Sequence, residues 1–314
     1  MSYFTKGRIA AALVLGASLA LAASQQAEAC ACGCGVFGVG TSSLFPSGSG
    51  GQLFAEYDFM DQNQNHSGLS TAPAANNDDK EIRTNFVTLG GEYMVNRDWG
   101  VMVELPYWQR TFKTDLGPPD GVTKFDHSAF GDVRLMGVYT GLSPDMSTGL
   151  TLGVKVPTGD WKYANFDRDT EIGTGSTDVL FGGYHLGPIT KDNSFSYFVQ
   201  GLFDIPVASQ GGYKPGNEVD AAAGGYYKGW MVGGGKLRIS PVLQFLVSAR
   251  AKDSGVNADP QDSGYVRGIV SPGIEVGAAG WKLYGDVEIP VYQNFVGNQL
   301  AAHEAFKLIL SRDF

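Results

Sequence analysis

The sequence lacks a long hydrophobic run beyond its amino terminus. Its mean hydropathy is −0.09 over 314 residues, and charged residues interrupt every later apolar stretch. A transmembrane helix needs about 20 consecutive, mostly apolar residues. The pattern therefore excludes helical membrane spans after the first segment of the chain.

Basic residues and catalytic motifs are also scarce. The chain has 23 Lys and Arg against 32 Asp and Glu, for a net charge of −9. Such an acidic protein is a poor ligand for nucleic acid, so we expect no nucleic-acid partner. Neither G-x-S-x-G nor C-x-x-C-H occurs, which removes the usual signals of a serine nucleophile and of c-type haem attachment. We therefore expect no enzyme activity.

The amino terminus has the features of a secretory signal. A positively charged start precedes an apolar run over residues 9–23, and a small-x-small cleavage site ends at Ala29. We predict that residues 1–29 are a signal peptide and that the mature chain begins at Cys30. A cysteine at this position also raises the alternative of lipidation, although the two residues before Ala29 differ from those usual in a lipobox.

The rest of the chain is a series of short alternating segments rich in glycine and aromatic residues. The connections between segments alternate between short and long, and the chain ends on Phe314. These features predict an all-β fold, a transmembrane antiparallel up-and-down β-barrel of about 12 strands over residues 52–314, with short periplasmic turns, long outer loops and both termini in the periplasm. A water-soluble β-sandwich would explain the alternation but not the asymmetry of the connections. The predicted strands are 52–60, 83–95, 99–112, 130–140, 148–156, 176–186, 195–207, 218–228, 236–251, 265–276, 281–291 and 304–314.

One face of each predicted strand carries charged residues, and the other is aliphatic. In a barrel the aliphatic face meets lipid and the charged face lines the lumen, where opposite charges on neighbouring strands are expected to pair. Four strands end in an acid or lysine followed by an aliphatic residue and proline. These triplets either mark duplicated hairpins with proline as a strand terminator, or place a ring of charge at the outer rim that filters solutes. The residues predicted to line the lumen or its rim are Glu104, Arg110, Asp132, Arg134, Lys155, Asp178, Asp204 and Glu288.

Three glycine-containing motifs follow one another in the middle of the chain. They are FGD at residues 130–132, KVPTGD at 155–160 and GTGSTD at 173–178. They resemble the FGD, GxKxPTGD and GTGSxD blocks of outer-membrane proteins grouped with the meta-pathway of phenol degradation. The resemblance extends from about residue 52 to residue 314. It implies an outer-membrane, channel-like barrel, which in some members is linked to the uptake of aromatic compounds.

All three cysteines lie together near the predicted mature amino terminus, outside the family motifs. They occupy alternate positions and precede a Gly/Ser-rich stretch, so we predict that residues 30–51 form a flexible periplasmic segment. Clustered thiolates suit Cu(I) or Zn(II), which makes Cys30, Cys32 and Cys34 a candidate metal site. A disulfide or redox link to a partner, lipidation and the absence of any role remain open alternatives.

These patterns lead to three functional hypotheses. The first is a narrow outer-membrane channel for passive passage of small solutes, with aromatic compounds suggested by the family resemblance alone and with the amino-terminal segment as a partial plug. The second is a non-conducting scaffold that presents the cysteine site in the periplasm as a metal or redox centre, and the third is a structural surface protein. The expected partners are outer-membrane lipids and lipopolysaccharide, small solutes, and the outer-membrane assembly machinery, which would recognise Phe314. We expect a monomer.

Overall fold

The computed structural model describes residues 45–46 and 48–314, which contain fourteen strands and one 3₁₀ turn. The predicted signal peptide and the three cysteines lie outside the described residues. The strands are β1 (Gly50–Gly68), β2 (Ser70–Thr71), β3 (Asp79–Met94), β4 (Trp99–Asp115), β5 (Val122–Phe130), β6 (Val133–Tyr139), β7 (Thr148–Val156), β8 (Ser176–Pro188), β9 (Phe195–Ser209), β10 (Glu218–Tyr227), β11 (Trp230–Val232), β12 (Leu237–Arg250), β13 (Tyr265–Ala278) and β14 (Trp281–Asp313).

The strands form one antiparallel sheet that closes into a ring. In the ring the order is β1, β3, β4, β6, β7, β8, β9, β10, β12, β13 and β14, and β14 pairs with β1. The other three strands lie outside this path: β2 pairs with β1, β5 with β4, and β11 with β12. The predicted all-β, antiparallel, closed barrel is therefore confirmed.

The last strand, β14, is 33 residues long and folds back on itself. Its residues 281–295 pair with β13, and its residues 295–313 pair with β1. Gly297 has a φ of 65°, a conformation that glycine adopts without steric cost. The Asp313 amide donates to the Gly280 carbonyl oxygen at 3.1 Å, which requires the chain to turn back near Gly297. The β14 segment thus contributes two passages of chain to the wall.

At the end of the barrel that carries the long connections, the strands are longer than predicted. Residues 113–129 were expected to be a loop, but most of them form a hairpin in which β4 and β5 pair from Tyr107–Phe130 to Asp115–Val122. The prediction of a loop at 292–303 is also wrong, because this stretch lies within β14. Both stretches are rich in polar residues. Backbone ladder bonds form regardless of side-chain polarity, so strands extend beyond the apolar zone that the pattern marks.

Burial along the strands is the reverse of that in a water-soluble β-protein. Aliphatic side chains such as Leu152, Leu243 and Val291 point outward and are between 59% and 63% exposed, whereas Lys155 and Asp178 point inward and are buried. The largest apolar cluster lies inside the ring, near the short connections. Within the described part of the chain, no helix is long and apolar enough to cross a membrane.

Candidate functional site in the barrel interior

A cavity of about 220 Å³ lies inside the ring. Its lining includes Phe45, Phe54 and Tyr184 toward the short connections, and Thr174 and Pro215 toward the long ones. Eight acidic and four basic side chains also line it. Because each strand points alternate residues inward, side chains that are far apart in sequence meet on this surface. The cavity therefore combines an apolar end with a charged middle in which acids outnumber bases.

One group of charges extends across β7, β8 and β9. The Lys155 ammonium group forms ion pairs with Asp178 and, at 2.9 Å, with the Oδ2 atom of Asp204. Lys155 and Asp178 are register partners, so the pairing of β7 with β8 places them side by side on the inner face. Lys155 is 8% exposed and Asp178 is fully buried. Removing one partner of such a buried pair typically costs about 3–5 kcal/mol, because the remaining charge has no compensation.

Two further ion-pair groups lie on neighbouring strands. Arg134 lies 3.6 Å from Glu104, its register partner across β4 and β6. Lys307 of β14 lies 3.9 Å from Glu56 and 3.7 Å from Asp58, both on β1. These contacts agree with the expectation that opposite charges pair between adjacent strands along the lumen wall.

The segment between β7 and β8, residues 157–175, folds into the barrel, and we call it the inner loop. Its Phe166, Thr170 and Ile172 are buried. Arg110 anchors it from the wall by donating through Nη1 to the Thr170 carbonyl oxygen and, at 3.1 Å, to the Glu171 carbonyl oxygen. Arg110 is thus a structural contact of this loop and is not among the residues that line the cavity.

Asp132 holds the two ends of the inner loop together. It lies where β5 gives way to β6, and its Oδ1 accepts a hydrogen bond from the Gly159 amide at 2.9 Å. Its Oδ2 accepts bonds from the Thr174 amide at 2.8 Å and from the Thr174 hydroxyl at 2.6 Å. A methyl group on Gly173 would lie 2.5 Å from the Gly159 carbonyl carbon, so the two loop ends approach closely only because both residues lack a side chain. The three sequence motifs therefore meet at one point in space.

The inner loop has a glutamate with a raised pKa and is in contact with a histidine of β5. Burial, reinforced by the negative charge of Asp160, raises the pKa of Glu171 to about 8. The His127 ring stacks on Tyr163 at 4.0 Å between centroids, and its Nε2 lies 3.0 Å from the Asp160 carboxylate. Arg168 lies over the Tyr213 ring at 4.5 Å, which connects the inner loop to the segment that follows β9. The loop is therefore held by contacts on several sides.

From the other end, Phe45 and Pro46, which precede β1, extend into the barrel. Phe45 is 8% exposed and stacks on Tyr184, with 4.5 Å between ring centroids and an interplanar angle of 11°. Its ring also meets Phe198 edge-on at 5.9 Å. Pro46 lines the same cavity. We call Phe45–Pro46 the inserted segment; sequence reasoning placed it in the flexible stretch at residues 30–51, where aromatic residues among Gly and Ser were the available signal.

Six of the eight predicted lumen residues line the central cavity: Glu104, Asp132, Arg134, Lys155, Asp178 and Asp204. The other two, Arg110 and Glu288, are buried elsewhere in the interior and do not line it. Cys30, Cys32 and Cys34 lie outside the described residues, and among those described no three His, Cys, Asp or Glu side chains converge into a metal site. Sequence reasoning missed Glu92, Glu218 and Lys307, which are also in the lining.

Comparison with known proteins gives matches in structure alone. No protein-family model matches the chain, and no curated protein matches it in sequence. The crystal structure of an outer membrane channel from Pseudomonas putida F1 matches with a TM-score of 0.62 at 13% identity, covering 88% of this chain and 100% of that one. The CymD monoaromatic hydrocarbon channel has a TM-score of 0.42 at 11% identity, with coverages of 93% and 99%. The Pseudomonas putida toluene transporter TodX has a TM-score of 0.40 at 10% identity, with coverages of 92% and 96%.

The first of these matches confirms, at the level of the fold, the predicted resemblance to outer-membrane channels. At 13% identity this match concerns the fold alone, and the expectation that the chain is not an enzyme stays a prediction.

Proposed function

We propose that this protein is a bacterial outer-membrane channel for small solutes, in which the barrel interior is the path. The observation that carries the proposal is a closed ring with a charged internal cavity and an apolar outer surface. A lumen of this polarity favours the passage of water-soluble molecules, because it is not a continuous apolar path. The same fold in a solved outer-membrane channel supports the assignment.

The outer surface supports insertion into a membrane. Exposed aliphatic side chains cover the strands, and Trp99, Trp230 and Trp281 are exposed near the short connections, as in the aromatic girdle of a membrane barrel. With β14 counted as two crossings, the wall has twelve strands. An even number places both termini on the side of the short connections, which we assign to the periplasm.

In the described conformation two elements narrow the path. The inserted segment fills the lumen near the short connections, and the inner loop covers it from the opposite end. Passage of a solute therefore requires displacement of one or both. A steady but low conductance is expected for the full mature chain, and a higher conductance for a variant that lacks the residues before β1.

The charge of the lining predicts a preference for cations, because eight acids face four bases. The test is the reversal potential of single channels in a planar bilayer under a salt gradient. Glu104→Gln and Asp204→Asn should each shift the reversal potential in the direction that indicates a weaker preference for cations over anions. Glu288→Gln is the matched control, since Glu288 is buried but does not line the cavity. Unchanged reversal potentials in both cavity variants would contradict the assigned path, and absence of any conductance would contradict a channel.

The cysteine segment is the basis of a second proposal, a thiolate site for Cu(I) or Zn(II) in the periplasm. Its support is the sequence spacing of Cys30, Cys32 and Cys34. Stoichiometric metal in the full mature chain, lost on Cys32→Ser and Cys34→Ser substitution, is the expected result. Equal metal content in the wild type and the double variant would refute it.

A further inference from the structure

Glu92 is an acid in an apolar environment. It belongs to β3, points into the cavity and is 6% exposed. Its Oε2 atom has no hydrogen-bond partner among the described residues. The ion pairs formed by the described residues involve other acids, such as Glu104 and Asp178, and none includes Glu92. A carboxylate buried without a partner is costly, so Glu92 is stabilised either by binding a proton or by a cationic ligand beside it.

The neighbours of Glu92 are the amide side chain of Gln52, its register partner on β1, and several aromatic and thioether side chains. Met102 is its register partner on β4, and Phe54 lies two residues along the partner strand β1, on the same inner face. The Phe54 ring lies against Gly90, where a methyl group would come within 2.0 Å of the ring, so Gly90 makes room for the ring beside Glu92. Tyr184, with Phe45 stacked on it, lines the same cavity.

This combination has the chemistry of an organic-cation site. Aromatic faces attract cations within about 6 Å, and quaternary ammonium groups are recognised by clusters of such rings. Here an acid that forms no ion pair with the described residues lines the same cavity as Phe45, Phe54 and Tyr184. We propose that Glu92 and these three rings bind a small organic cation, an ammonium group that carries apolar substituents, on its way through the lumen.

The size and charge of the cavity agree with such a ligand. Its volume of about 220 Å³ exceeds the roughly 150 Å³ of an engineered cavity that accommodates benzene. The excess of acids in the lining raises the local concentration of cations near Glu92. The inference rests on the proposed channel function only for the route by which the ligand arrives, and binding is measurable without transport.

The test measures binding of choline to the detergent-solubilised mature chain by equilibrium dialysis. The uncharged isostere of choline, with carbon in place of the ammonium nitrogen, is the ligand control. Glu92→Gln keeps the shape of the side chain and should weaken choline binding at least tenfold. Phe45→Leu keeps the site apolar but removes one ring, and should weaken binding several-fold. Glu288→Gln, at a buried acid that does not line the cavity, should bind as the wild type does.

Three results would overturn the proposal: no binding of choline to the wild type, equal binding to the wild type and Glu92→Gln, or binding of the isostere as tight as that of choline. Conductance of the same preparations is recorded separately. A conducting wild type that does not bind choline would refute the cation site and leave the channel assignment intact. A non-conducting protein that binds choline at Glu92 would refute the channel assignment and leave the cation site intact.

Discussion

Replacement of Asp132 by alanine should release the inner loop. The side chain accepts three hydrogen bonds, from the Gly159 amide at 2.9 Å and from the amide and hydroxyl of Thr174 at 2.8 and 2.6 Å. A hydrogen bond to a charged group contributes about 1.5–3 kcal/mol to stability. Taking the lower value for each, because water replaces the carboxylate when the loop opens, the three together contribute about 4.5 kcal/mol.

A change of this size is large in an opening equilibrium. At about 1.4 kcal/mol for each factor of ten, about 4.5 kcal/mol corresponds to an increase in the open population of roughly a thousandfold or slightly more. Arg168, half-buried in the closed loop, is a site for trypsin that becomes accessible on opening. When opening and closing are fast relative to cleavage, the rate of cleavage reports the open population.

The assay is therefore the rate of tryptic cleavage after Arg168 in protein reconstituted in bilayers, followed by mass spectrometry. Asp126→Ala is the matched control, because Asp126 is an acid of the adjacent strand β5 that bonds to Thr111 at 2.6 Å but does not contact the inner loop. Asp132→Ala should accelerate cleavage by far more than tenfold, and Asp126→Ala should leave the rate unchanged. An acceleration below tenfold in the folded Asp132 variant would refute the reasoning.

Three further predictions concern the interior. Lys155→Met should destabilise the folded barrel by about 3–5 kcal/mol, because the buried Asp178 and the partly buried Asp204 lose their cation. The urea midpoint of folding into vesicles measures this change, and Lys124→Met at an exposed pair should alter it little. Since the pKa of Glu171 is raised to about 8, the closed loop holds a proton that the open loop releases between about pH 5 and pH 8, so closure weakens as pH rises through this range. Cleavage after Arg168, relative to Glu171→Gln at each pH, should increase accordingly, and a constant ratio would contradict this linkage. Phe45→Ala should raise the conductance by removing the stacking that holds the inserted segment, and an unchanged conductance would mean that this segment does not limit the path.

Part of the interior was predictable from the sequence for a clear physical reason. Inward positions follow from period-2 alternation, so Glu104, Arg134 and Lys155 were assigned to the lumen without coordinates. Their partners required the register. Lys155 contacts Asp178, its register partner on β8, and also Asp204, which lies on β9 two residues from the partner of Asp178; no local pattern specifies this arrangement.

Asp132 is a second residue whose inward position follows from the sequence but whose contacts do not. The sequence identified it as an inward acid at the start of a strand, and this prediction agrees with its position in the cavity lining. Its contacts with Gly159 and Thr174 arise because residues 157–175 turn into the barrel. Loop paths depend on such long-range hydrogen bonds and close glycine contacts, and hydrophobic periodicity carries no information about them.

By itself the sequence determined the class of the fold, the two faces of the wall and the identity of most charged residues on the inner face. These properties follow from alternation and connection length, which are local features of the chain. The tertiary structure alone decided which charges pair, that Phe45 lies inside the ring, that the inner loop folds into the barrel, and that Glu92 lines the cavity without an ion-pair partner among the described residues. Each of these depends on contacts between residues brought together only when the ring closes.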